Sequence, residues 1–127
     1  MYITRLVILS AACLLVCSFG QKGSAQDPCA NAQTTAEMRD CAGREYQKAD
    51  AVLNKAYRDL MAKLDDEGQK SALKAAQQAW IKYRDANCEF ESYQNRGGTI
   101  YPVVYTGCLT SMTVARTKEL REMAKEN

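Results

Sequence analysis

Between Thr35 and about Leu64 the positions Met38, Ala42, Tyr46, Ala49, Leu53, Ala56 or Tyr57, Leu60 and Leu64 advance by three or four residues at every step. That is the period of one face of an α-helix, so the pattern predicts one long amphipathic helix. Thr34, with Glu37 three residues on, predicts its start, because the pair forms a capping box for the orphan amides of the first turn. Asp65-Asp66-Glu67-Gly68 breaks the pattern, and either aspartate can cap a second helix with Glu67 near the positive end of its dipole.

The second helix is expected to run to about Tyr93, with Leu73, Ala76, Trp80, Tyr83 and Asn87 or Cys88 on its inner stripe. Gln94-Asn95-Arg96-Gly97-Gly98-Thr99 then reads as a turn cluster, and Ile100 to Tyr105 is apolar but interrupted by Pro102. The segment 94–106 is therefore read as an ordered loop. A third helix is predicted from about Gly107 to Lys125, using Leu109, Met112, Ala115 or Arg116, Leu120 and Met123 inward. The resulting fold class is all-α: a small bundle of three main helices, the first long, with an ordered loop between the second and third.

Ahead of this pattern lies a different one. Met1 to Arg5 carries one positive charge, Leu6 to Phe19 is apolar, and Gly23-Ser24-Ala25 offers small residues for cleavage. This predicts a signal peptide over residues 1–25, a domain over 26–127, and export to the periplasm or medium. The apolar run, about 14 residues, is shorter than the roughly 20 that span a bilayer, so no stable membrane span is expected. A lipoprotein reading would need small residues just before the modified cysteine, whereas Val16 precedes Cys17.

The leader holds Arg5 and Lys22 and no acid, so the whole excess of two positive charges belongs to it. The remaining chain carries 15 bases and 15 acids, which gives no polybasic case for a nucleic-acid partner. The chain has no histidine, which rules out Ser-His and Cys-His nucleophiles and mixed-ligand zinc sites. No cofactor or metal is expected.

Of the six cysteines, Cys13 and Cys17 fall in the leader, leaving Cys29, Cys41, Cys88 and Cys108. An even set in a short exported chain reads as a disulfide framework. Intervals of 11, 46 and 19 intervening residues do not suit an all-cysteine zinc site. Local pairing follows from helix placement: Cys29 with Cys41 staples the N-terminal arm to the first helix, and Cys88 with Cys108 closes the loop between the second and third. Two other connectivities remain compatible with the sequence.

The series Cys29, Cys41, Asp50-x-x-Leu53-Asn54-x-x-Tyr57, Gln77-x-x-Trp80-x-x-Tyr83-Arg84-Asp85-x-x-Cys88, Gly97-Gly98, Cys108-Leu109 and Arg116 resembles the LprI-type lysozyme-inhibitor domain. The resemblance covers about residues 29 to 121. It implies a small, helical, exported bacterial protein whose partner is a protein, a lysozyme in the name-giving case.

Three sets of residues are candidates for function. Asp50, Asn54 and Tyr57 share one side of the first helix, and Trp80 and Arg84 share one side of the second. With Gln77 and Arg116 they are read as a structural network in which a buried Arg84 takes Asp50 as its acidic partner; the alternative is a polar ligand groove. The acidic pairs Asp65/Asp66 and Glu89/Glu91 invite comparison with the two carboxyls of a glycosidase, but nothing in their spacing brings them face to face, and a solvated turn and helix end explain them. The segment 94–106 is the candidate binding surface, with Arg96, Tyr101 and Tyr105 as anchors on a tethered loop turned by Gly97 and Gly98. Its competing reading is that Ile100, Val103 and Val104 merely close the bundle end. The expected function is thus non-catalytic: inhibition of a lysozyme by steric occlusion, with an envelope interaction or immunity protein as the alternative.

Overall fold

The structure is a computed structural model that describes residues 29–127. The predicted leader, its cleavage site, Cys13 and Cys17 lie outside the described residues. Among the described residues the fold has three α-helices and one short 3₁₀ turn: α1 (Thr35–Met61), α2 (Glu67–Glu91), the turn Tyr93–Asn95, and α3 (Tyr101–Glu126). Among the described residues no helix is long and apolar enough to cross a membrane.

The capping chemistry follows the sequence. Thr34 Oγ1 accepts from the Glu37 amide at 3.2 Å while the Glu37 carboxylate accepts from the amides of Thr34 and Gln33, so the box is complete. Those bonds hold the Glu37 carboxyl below its ordinary value. Asp66 is the cap of α2, its Oδ1 accepting from the Gln69 amide at 2.8 Å.

The predicted loop over 94–106 is shorter than expected, because α3 begins at Tyr101 and not near Gly107. Pro102 sits in the first helical turn, where its missing N–H is not needed and its fixed φ suits the helix. The proline that read as a breaker is a starter.

α1 and α3 run parallel. Lys63, just beyond α1, donates to the carbonyl of Ala124 near the end of α3, and Met38 and Ala42 share a groove with Val103 and Gly107 at the opposite end. α3 is the central element, packing along α1 on one side and against α2 on another. Leu53, Ala56, Leu60, Leu64 and Leu120 form the core, with Tyr57, Leu73, Trp80 and Ala124 packed against it. Each leucine taken out of water there is worth about 1.5–3 kcal/mol.

Two inner stripes differ from the predicted ones. On α2 the buried residues are Gln77, Arg84 and Cys88, whereas Ala76 and Tyr83 are exposed. On α3 they are Leu109, Thr113, Thr117 and Leu120, while Ala115 and Met123 face solvent. In both helices the inner face carries polar residues with internal partners: the Thr117 hydroxyl donates to the Thr113 carbonyl at 2.9 Å, a bond that lets threonine be buried without an orphan group.

Both disulfides pair locally. Cys29 is bonded to Cys41 and Cys88 to Cys108, so the first ties the arm onto α1 and the second joins the end of α2 to the start of α3. Cys88 is fully buried.

Candidate binding corner

The chain between the last turn of α2 and the first turn of α3 folds on itself through a ladder of short backbone bonds. The amides of Asn95, Arg96, Gly98 and Tyr101 donate to the carbonyls of Ser92, Tyr93, Asn95 and Gly98. Ser92 is fully buried, its hydroxyl donating to the Cys88 carbonyl at 2.6 Å. Gly97 has φ +80°, a backbone region that side chains disfavour. At Gly98 a Cβ would lie 3.2 Å from the Asn95 carbonyl oxygen. Gly97 is therefore favoured by the backbone conformation of the turn and Gly98 by its close approach to the Asn95 carbonyl, and both serve the corner as backbone.

Glu89 organises the side chains. Its carboxylate pairs with Arg96 and accepts from the Tyr101 hydroxyl at 3.0 Å. The Arg96 bond, then the Tyr101 bond, hold the Glu89 carboxyl below its ordinary value, and the same pairing raises Arg96. The Arg96 guanidinium also lies 4.8 Å from the centroid of the Tyr93 ring, within cation–π range. Tyr101 stacks on Tyr105 at 5.9 Å between centroids. Burial, and then the negative charges of Asp85 and Glu89, raise the Tyr105 hydroxyl above its ordinary value. The segment has no acid of its own, but α2 supplies one, so Arg96 is an aimed, half-neutralised cation and not a free one.

The structure brings Arg96, Gly97, Gly98, Tyr101 and Tyr105 to one corner and adds two residues that the sequence reading did not select. Phe90 is 78% exposed and Tyr93 61% exposed. With Tyr83, also exposed, they recur at seven- and three-residue intervals along α2 and its continuation, which places them on one outward side. The signal was available: Phe90 falls where a helix carrying Arg84 and Cys88 inward must turn it outward. Ile100 is partly exposed, while Val103 and Val104 are half-buried, so these residues do close the bundle end beside the corner.

The polar network is built differently from its sequence expectation. Arg84 is buried, but its acid is its neighbour Asp85, at 2.8 Å; Asp50 accepts from Asn54 at 2.9 Å instead. A second Arg84 bond goes to the Thr113 hydroxyl at 3.3 Å, and its guanidinium lies over both Tyr46 and Trp80. Trp80 faces a second cation, Arg116, which donates to Gln77 Oε1 at 3.0 Å and pairs with Glu119. The in-helix neighbour wins because its carboxylate reaches the guanidinium without crossing between helices. Asp50, Asn54, Tyr57, Gln77 and Arg84 do share a shallow cleft of about 250 Å³ between α1 and α2. Of the carboxylates weighed as an acid–base pair, Asp66 caps a helix, Glu89 holds Arg96 and Tyr101, and Glu91 accepts from Asn87.

Comparison with known proteins gives a consistent picture. A family model described as "Lysozyme inhibitor LprI" matches residues 25–120. An uncharacterized protein of Rhizobium meliloti (strain 1021) is 38% identical over 123 residues, covering 87% of this chain and 88% of its own length. The uncharacterized protein YecT of Escherichia coli (strain K12) is 30% identical over 98 residues, 66% of this chain and 60% of that protein. The crystal structure of a DUF1311 family protein from Pseudomonas putida KT2440 superposes with a TM-score of 0.70 at 27% identity, covering 76% of this chain and all of the other.

Proposed function

The chain belongs to the LprI lysozyme-inhibitor family, and from that premise we propose that it is an exported, non-catalytic protein that blocks a lysozyme cleft by steric occlusion. The observation that carries this reading is the corner: exposed Phe90 and Tyr93 beside an arginine whose direction is set by Glu89. Aromatic residues and arginine are the usual anchors of protein interfaces, and rigid anchors lose least entropy on binding. A lysozyme cleft presents two carboxyls. Arg96 has five N–H donors and spends only part of them on Glu89, so it can meet a second carboxylate while the aromatic rings exclude water. The Cys88–Cys108 bond holds the base of the corner to both helices that carry it.

A cell-wall lysis assay tests the reading, with the oxidised protein titrated against chicken-type, invertebrate-type and goose-type lysozymes. Dose-dependent inhibition of one type is expected, weakened about tenfold or more by Tyr93→Ala and by Arg96→Ala. Inhibition indifferent to both would move the surface away from the corner. No inhibition at micromolar protein would favour an envelope interaction protein that does not act on lysozyme.

A further inference from the structure

On the far side of the molecule from the polar cleft, α1 and α3 leave an uncovered groove of about 580 Å³ lined wholly by those two helices. Its floor is apolar, with Ala49, Val52 and Val114; Val52 is 41% and Val114 56% exposed. Sharing Glu45 and Thr110, it continues into a second hollow that reaches Val103 and Cys29. Along α3 the combined groove spans Val103 to Lys125, about 33 Å at the helical rise of 1.5 Å per residue. That is the footprint of a helix of about 20 residues.

The charges around it are unequal. Lys48 is paired with Glu45 and Lys125 with Glu122, and both acids are thereby used. The side chains of Lys118 and Arg121 remain on the rim without an ion-pair or hydrogen-bond partner among the described residues; Lys118 only contributes, after Lys125, to holding the Glu122 carboxyl down. Its lining carries Lys48, Lys118, Arg121 and Lys125 against Glu45 and Glu122, so two copies paired through this groove would bring together two faces of the same net positive charge. We propose that the groove docks an acidic amphipathic helix of a partner protein, its apolar stripe on Val52 and Val114 and its carboxylates on Lys118 and Arg121. The helix would complete a four-helix arrangement around α1 and α3, the helix-in-groove mode of recognition. None of the corner residues Phe90, Tyr93, Arg96, Tyr101 and Tyr105 lines this surface, and the proposal does not depend on the lysozyme reading.

Two labelled synthetic helices of about 20 residues test the proposal by fluorescence anisotropy. Both carry leucines at i, i+3, i+4 and i+7, flanked in one by glutamates and in the other by lysines. Saturable, salt-sensitive binding of the glutamate peptide to the oxidised protein is expected, with the lysine peptide weaker by about tenfold or more. Val114→Asp and the pair K118E/R121E are each expected to weaken the glutamate peptide about tenfold, with helix content by circular dichroism unchanged and Arg96→Ala without effect. In K118E/R121E the preference between the peptides should invert. Equal binding of both peptides, indifference to both variants, or no saturation by about 500 µM overturns the proposal. Self-association lost in Val114→Asp would assign the groove to a second copy, and capture by anionic phospholipid vesicles without peptide binding would assign it to a membrane surface; either result also overturns it.

Discussion

Arg84 is a buried cation, and the cost of removing its acid depends on how completely that acid compensates it. Asp85 sits at 2.8 Å from a guanidinium whose side chain is only 7% exposed, and its loss leaves Arg84 with Thr113 and two aromatic faces. Asp85→Ala is therefore expected to cost about 2 kcal/mol in chemical denaturation of the oxidised protein. Asp50→Ala, which removes a carboxylate bonded to an exposed Asn54, should stay within about 0.5 kcal/mol; the reverse order would restore Asp50 as the partner. The burial of Arg84 was legible from its helical register with Trp80, but the identity of its acid was not, because Asp50 and Asp85 both lie within plausible reach until the helices are placed. At the corner, Glu89 makes a signed prediction. Its folded-state value is depressed, by Arg96 first and Tyr101 second, so its stabilising contribution is present above the ordinary value of 4.5 and is lost as pH falls through the depressed one. A carboxyl chemical-shift titration should place the Glu89 midpoint below 4.5, and Arg96→Ala should move it back upward. A midpoint unmoved by that substitution would deny the pairing.

Helix boundaries depend on which orphan groups find partners, and here the three helices solve the problem differently. α1 has a full capping box through Thr34 and Glu37, so Thr34→Ala should cost about 1 kcal/mol in thermal or denaturant unfolding; a loss near zero would mean that the Cys29–Cys41 staple alone fixes that end. The box was legible because its two residues are three apart and precede an apolar period. α3 has no side-chain cap, and its first turn, Tyr101-Pro102-Val103-Val104-Tyr105, is rich in residues that read as strand or loop. What makes it helical is tertiary: Tyr101 is bonded to Glu89, and Cys108 is bonded to Cys88. The inner stripes of α2 and α3 were hidden for a related reason. Apolar periodicity passes over buried polar residues: it selects Met123 on α3 where Thr113 and Thr117 are buried, and on α2 it selects exposed Tyr83, leaving buried Gln77 and Arg84 to be read from their polar chemistry alone.

The order of the helices in space was not legible, since nothing in the sequence says that α1 and α3 lie parallel with α3 between its neighbours. The cysteine pairing was legible because both bonds are local, closing separations of 12 and 20 residues. Loops of this size give similar stabilisation, about 3 kcal/mol each in the chain-entropy account. Their consequences for function should nevertheless differ, because only one of them joins the two helix ends that carry the corner. Cys29–Cys41 holds an arm against α1, next to Val103 and Gly107 but cross-linked to neither α2 nor α3, whereas Cys88–Cys108 clamps together the two helix ends from which Phe90, Tyr93, Arg96 and Tyr101 project. Replacing each pair by serines should lower stability by about the same amount. In the lysis assay, at a temperature where both variants remain helical, C88S/C108S should lose inhibition and C29S/C41S should retain it. Equal loss in both would mean that inhibition follows global stability, and loss confined to C29S/C41S would move the lysozyme-binding surface from the corner onto the arm itself.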